Sequence, residues 1–227
     1  MSESPVPIVG GTGRLGYGLA VRLAAAGVRV RIGSRRAESA TDAAGRVRDV
    51  VEGADVDGGA NAESVGGAPL VLMTVPFDAQ ASTLKDLEDA LEPGQVLVDT
   101  TVPLAATVGG KPTRMLGVPQ GSAAEQTQEL VPDGVRVVSA FHTVSAEELG
   151  DLQVELDEDV LVCGDDREAK QALATLVDRI PGLRPVNAGR LEAARLVEGL
   201  TPLLIGINIR HKVSAGVRVT GLSESRW

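Results

Sequence analysis

Two short stretches of this chain carry residues whose types and spacing suit chemistry on a phosphorylated ligand. The first is Gly11-Thr12-Gly13-Arg14-Leu15-Gly16; the second, eighteen residues beyond it, is Ser34-Arg35-Arg36. A glycine-rich turn between a strand and a helix lets the backbone approach a pyrophosphate, which then rests on the helix N-terminus. In a chain with 27 glycines the pattern alone is weak, and its flanks make it specific. Val6 to Val9 is a short apolar run, and Leu15, Leu19 and Leu23 recur at helical spacing. Gly27 closes that helix, and Val28 to Ile32 reads as a second strand. Enzymes that use NAD usually place an acid at the end of that strand for the ribose hydroxyls, whereas arginine accommodates a 2′-phosphate. Here the strand runs into Gly33-Ser34-Arg35-Arg36 with no acid before Glu38, which favours NADP.

The elements that must hold this turn follow in order. Pro7 conflicts with a central strand because it has no N–H for the ladder, so the first strand is expected to begin at Ile8, with Val6-Pro7 as its lead-in. A helix over Glu38–Glu52 is expected to bury Ala40, Ala43, Val47 and Val50. Gly53 to Gly67 offers only a weak strand near Val56 and a short helical turn. Leu70 to Val75 is the continuous apolar run of a strand covered on both faces, stopped by Pro76. Helix Ala79–Leu91, strand Gln95–Asp99, an irregular stretch, helix Ala123–Leu130 and strand Val135–Ser139 complete an alternating order. That order implies a doubly wound α/β parallel sheet. From Phe141 the texture changes. An acid run from Glu147 to Asp159 reads as solvated surface, and strands follow at Val160–Cys163 and Leu183–Asn187. Asp165-Asp166 reads as a helix cap rather than a metal site, since no His/Cys cluster joins it. The last long helix, Leu191 to His211, is apolar on more than one face, as expected of a helix buried under the domain or between subunits. Pro202 predicts a kink there, or a fresh start capped by Thr201.

Composition narrows the class. The chain has 227 residues, enough for one large α/β domain or a nucleotide domain with a small second lobe. A net charge of −9 argues against nucleic acid or an anionic membrane as the main partner, so an anionic ligand requires local cations. The lone Cys163 permits no intrachain disulfide and reads as inert core. Residues Met1 to Pro7 do not read as a signal peptide, and Leu200 to Ile209 is too short to span a bilayer; the expected setting is cytoplasmic.

Several further segments fall in order: Thr74-Val75-Pro76, Val138-Ser139-Ala140-Phe141-His142-Thr143, Val162-Cys163-Gly164-Asp165-Asp166, Gly182-Leu183-Arg184-Pro185-Val186-Asn187-Ala188-Gly189 and Arg195 to Leu203. With the glycine turn and Ser34-Arg35-Arg36 they resemble the NADP-linked reductases of the deazaflavin coenzyme F-420, over nearly the whole chain. The resemblance implies a Rossmann-type NADP-binding domain over residues 1–140. It also implies a small C-terminal α/β lobe over 141–227, with hydride passing between nicotinamide and deazaflavin in the cleft between them. It implies that Thr12, Arg14 and Leu15 lie along the pyrophosphate, that Ser34 and Arg35 hold the 2′-phosphate, and that Thr74, Val75 and Pro76 border the nicotinamide ribose. His142 and Thr143 would approach the deazaflavin, with Val102 and Pro103 nearby and no metal involved. Asp99 departs from the family, which often has serine or asparagine followed by proline in this loop. It is expected to bring a carboxylate near the ring pocket. With the departures at Arg210-His211-Lys212 and Val213 to Leu222, it keeps open a different acceptor: a flavin, or a small carbonyl or imine. A non-catalytic NADPH-binding regulator is the third alternative. The apolar segment Leu196 to Ile209 is expected to build a homodimer.

Overall fold

The computed structural model describes residues 4–222. One eight-stranded sheet organises them. Its strands are β1 (Val6–Val9), β2 (Val30–Ser34), β3 (Val56–Ala60), β4 (Leu70–Met73), β5 (Val96–Asp99), β6 (Arg136–Ser139), β7 (Glu158–Gly164) and β8 (Leu183–Gly189). They lie in the order β3-β2-β1-β4-β5-β6-β7-β8, all neighbours parallel except the antiparallel β6–β7 pair. The order reverses between β1 and β4, the switch point at which such sheets open a crevice. Strands β7 and β8 join the same sheet at its edge, so the described residues beyond 140 extend that sheet.

Strand alternation assigns the two faces. Ile8, Leu72, Val98 and Val138 point to one side, where α1 (Arg14–Ala25), α2 (Ala37–Val50), α6 (Ala146–Gly150) and α7 (Arg167–Val177) bury Leu19, Leu23, Val47, Leu149 and Leu173. Val9, Val71, Met73 and Leu97 point to the other. There α3 (Asn61–Val65) and α4 (Phe77–Leu87) bring Val65, Leu84 and Leu87. Further along that side, α5 (Ala123–Leu130) and α8 (Ala194–Glu198) cover Val137 and Cys163. Each fully buried large side chain contributes about 1.5–3 kcal/mol relative to exposure.

Several expectations change. β1 begins at Val6, with Pro7 inside it in register with Arg31. Val9 accepts from Thr74 on the β4 side, and Pro7 shares its parity; pairing with β4 begins only at Ile8, so the missing N–H interrupts no ladder bond. Val50, expected in the core, is 55% exposed at the end of α2. The acid run is not uniformly solvated. Asp159 is fully buried, where its carboxylate accepts from Arg184 Nε at 2.6 Å, Arg184 Nη2 at 2.7 Å and the Val219 amide at 2.7 Å. Neighbouring Glu158 is buried as well. The last helix is divided into a 3-10 turn, Leu191–Ala193, then α8 and α9 (Leu200–His211). Pro202 has no N–H to offer the Glu198 carbonyl, so the hydrogen-bond ladder breaks there while Gly199 keeps helical angles (φ −65°, ψ −18°). Pro202 thus occupies the first turn of α9, and Thr201 is not its cap. In the single chain Leu196, Leu203 and Ile209 are each more than half exposed.

Candidate functional site

At the C-terminal ends of β1, β2, β4 and β5 lies a cleft of about 500 Å³. Its first wall is the β1–α1 turn. Gly10 takes φ +73°, open to glycine at little cost, and a Cβ there would meet Val75 Cγ1 at 2.7 Å. A Cβ on Gly11 would meet the Ile8 carbonyl at 2.8 Å, and one on Gly16 would meet Gly11 Cα at 2.6 Å. Gly13 differs: its nearest neighbour would be Gly10 O at 3.4 Å, and it faces the cleft as the N-cap of α1. No side chain caps that helix, so its first N–H groups are available to an anion. The turn is a cradle that a pyrophosphate fits.

Beside it, Ser34 at the end of β2 and Arg35 line the same cleft, with Arg14 and Thr12 across from them. Arg14, Arg35 and Arg36 are exposed and form no ion pair among the described residues, so their charge is uncompensated in a chain of net charge −9. Asn61 also lines this end, and its Oδ1 accepts from the Gly10 amide at 3.3 Å. Sequence reasoning missed Asn61. The signal available was its place at the start of a helix directly after the third strand.

The other end of the cleft is less charged. Thr74, Val75 and Pro76 follow β4, Thr100, Thr101 and Val102 follow β5, and Leu15, Phe141, His142 and Thr201 are among the other lining residues. The Thr74 hydroxyl donates to the Val9 carbonyl at 2.9 Å and is thereby tied to the sheet. Phe141 takes φ +66°, a left-handed conformation that costs an aromatic residue on the order of 1–2 kcal/mol. Its buried ring offsets that cost, and the turn it makes delivers His142 to the cleft. Burial pushes the His142 pKa down to about 4, leaving a neutral imidazole at pH 7. Its Nε2 stands 3.5 Å from Ser139 Oγ, its Nδ1 is buried with no hydrogen-bond partner among the described residues, and its carbonyl accepts from the Thr201 hydroxyl at 2.8 Å.

Gly11 and Gly16 lie beneath the turn and not on the cleft wall. Arg36 stands at the N-terminus of α2, outside the wall. Thr143 faces a smaller cavity of about 140 Å³ behind His142, shared with Ser145 and Asn208. Pro103 is turned away and its carbonyl accepts from Leu116 at 2.7 Å. Asp99 corrects the expectation of a carboxylate at the ring pocket. It is fully buried under the cleft, with Thr101, Thr127 and Gln80 donating to it. Burial raises its pKa, and those donors oppose the rise.

The family described as NADP oxidoreductase, coenzyme F420-dependent, matches residues 5–103. The F420-dependent NADP reductase of Methanothermobacter marburgensis is 42% identical over 96% of this chain and 99% of its own length. The protein of the same name from Methanocaldococcus jannaschii is 40% identical over 96% of this chain and 98% of its own. A solved structure from Arthrobacter sp. FB24 superposes with a TM-score of 0.80 at 26% identity, covering 96% and 99% of the two chains. Identity at this level along almost the entire length, on the fold and glycine turn described above, makes this chain a member of the F420-dependent NADP reductase family.

Proposed function

We infer that the protein transfers a hydride between NADP(H) and the deazaflavin coenzyme F-420. The observation that carries this is the polarity of one continuous cleft: at one end are Arg14 and Arg35, without an ion pair among the described residues, and uncapped helix N–H groups; at the other is a neutral wall around Thr74–Pro76, Thr101 and His142. When bound, the two coenzymes supply the redox chemistry, in which one hydride and one proton reach the deazaflavin as NADPH becomes NADP⁺. The chain's own part is positioning and exclusion of water. Arg35 and Ser34 take the 2′-phosphate, the N-terminus of α1 takes the pyrophosphate, and Thr74 to Pro76 border the nicotinamide ribose. His142, neutral and with a buried nitrogen that has no partner among the described residues, orients the second ring. Asp99 lies under the cleft and presents no carboxylate to repel an anionic deazaflavin, which removes one of the two grounds for a different acceptor and leaves the departures in the C-terminal segment.

Residues 1–140 form the nucleotide-binding portion in this reading, and 141–227 close the cleft and carry the contact between two copies. Leu196, Leu203 and Ile209 are the exposed apolar residues that a second copy would cover. Light scattering on the purified chain is expected to give the dimer mass; a monomer at micromolar concentration refutes that assignment. The chain's setting is the cytoplasm, in keeping with a lone, buried Cys163 whose thiol burial pushes up to about 11. No helix among the described residues is long and apolar enough to cross a membrane. The activity is tested by mixing protein, NADPH and oxidised coenzyme F-420 and following loss of the deazaflavin absorbance. Oxidation of NADPH by a free flavin or an imine, with none by coenzyme F-420, would overturn the reading.

A further inference from the structure

Asp99 sits where no side chain is needed to hold the strand. β5 is fixed by backbone pairing on both sides, Met73 with Asp99 and Asp99 with Ser139, and any residue could occupy the position as far as the ladder is concerned. Yet the carboxylate is fully buried, an arrangement that costs several kcal/mol unless donors compensate it. The donors come from three elements. Thr101 donates its amide to Oδ1 at 2.6 Å, and Oδ2 accepts from Gln80 Nε2 on α4 at 3.0 Å and from the Thr127 hydroxyl on α5.

Gln80 is itself fully buried and does a second thing. Its Nε2 donates to the Thr101 hydroxyl oxygen at 2.7 Å and lies 3.0 Å from the Ala123 carbonyl. Its Oε1 accepts from Gln126 Nε2 at 2.7 Å, which fixes the orientation of the amide. Thr101 is thus held by main chain and side chain together, and Thr101 is part of the uncharged wall of the cleft, between Thr100 and Val102.

We propose that Asp99 is a positioning residue for hydride transfer: from beneath the cleft it sets the Thr101 segment against which the deazaflavin ring is held. The inference rests on the functional reading above. Every partner of the carboxylate is a donor, so the site calls for a group that accepts at both oxygens and donates at neither. Asparagine would turn an NH₂ toward Gln80 or Thr127, and serine would be too short to reach all three elements. A purely structural carboxylate would have no reason to distinguish the two coenzymes, because Arg35, Ser34 and the α1 turn, at the basic end of the cleft, lie outside this network.

The test compares Asp99→Asn, Thr101→Val, Thr101→Ser and the Asp99→Asn/Thr101→Val double variant with the unmutated full chain. NADPH affinity is read by fluorescence titration without a second substrate, and steady-state rates are read with coenzyme F-420. Amide hydrogen exchange follows residues 100–104. For Asp99→Asn we expect NADPH affinity within about twofold, KM for coenzyme F-420 raised about fivefold or more, and faster exchange at the Thr101 amide. Thr101→Val should reproduce the kinetic effect and Thr101→Ser should recover much of it. The double variant should be no worse than the more affected single one, because Asp99 Oδ2 and the Thr101 hydroxyl are joined through the same Gln80 amide and both substitutions release that one network. If Asp99→Asn proves unstable, the Thr101 pair carries the comparison. Parallel loss of NADPH affinity and deazaflavin turnover, unchanged deazaflavin kinetics, or multiplying effects in the double variant would overturn the proposal. An unmutated chain that turns over no coenzyme F-420 at all would instead overturn the functional reading, while the exchange data would still report whether Asp99 holds Thr101.

Discussion

Replacing Arg35 by alanine isolates the choice between NADP and NAD. Arg35 is exposed, lines the basic end of the cleft, and has no acidic partner among the described residues. Its removal therefore strands no buried charge, and the stability of the free protein should change by no more than about 0.5 kcal/mol. The bound state is different. A guanidinium on a 2′-phosphate makes charge-assisted hydrogen bonds, each worth about 1.5–3 kcal/mol, and one such loss is a fall of roughly 10-fold to 150-fold in affinity. Exposure and salt push the expectation toward the lower end. NADH has no phosphate at this position, so its binding should move by less than about twofold. Isothermal titration with NADPH and NADH, on both proteins and at two salt concentrations, reads all of this. The preference for NADPH should shrink through loss of NADPH binding alone, and the salt dependence should weaken. Equal affinities in the unmutated protein, or parallel losses for both coenzymes in Arg35→Ala, would refute the assignment of the Ser34-Arg35 corner.

Gly13→Val should fold and yet lose NADPH binding, because its Cβ meets only Gly10 O at 3.4 Å in the free protein while Gly13 lines the cleft at the proposed pyrophosphate position; a melting curve and a titration separate the two effects. Gly16→Ala should instead destabilise the chain by about 1–3 kcal/mol through its clash with Gly11 Cα, seen as a lower Tm before any ligand is added. His142→Ala should leave NADPH affinity nearly intact while deazaflavin use falls about 2-fold to 12-fold, the range for one hydrogen bond to a neutral ring; calorimetry against steady-state rates decides it. Burial, with Glu148 nearby, pushes Glu158 up to about 7, above its unfolded value, so the native state holds a proton that the unfolded chain releases. Its contribution to stability is therefore lost as pH rises from 5 through 7, and Glu158→Gln should melt higher than the unmutated chain at pH 8 with little difference at pH 5.

What could be read from the sequence was whatever a few consecutive residues decide. The glycine turn, the Ser34-Arg35 corner and the alternation of strands with helices depend on backbone geometry and local periodicity, and they appear where the residues implied. Even there the motif treats its glycines alike, whereas packing separates them: Gly11 and Gly16 are bare because protein atoms press on them, and Gly13 has no such neighbour. The illegible parts share one property, which is that their partners are distant in the chain. Asp159 looks like surface among its acidic neighbours until Arg184 and Val219 arrive from later segments. Asp99 looks like a ring-pocket carboxylate until Gln80 and Thr127 close over it. Asn61 gains meaning only through the Gly10 amide, 51 residues before it. Phe141 gives no hint of positive φ, since its burial pays for a conformation its own side chain disfavours. The basic end of the cleft is therefore built mostly from local rules, which unrelated enzymes can share. The uncharged end rests on long-range polar contacts, and it is there that substitutions such as Asp99→Asn should distinguish this chain from other proteins with the same glycine turn.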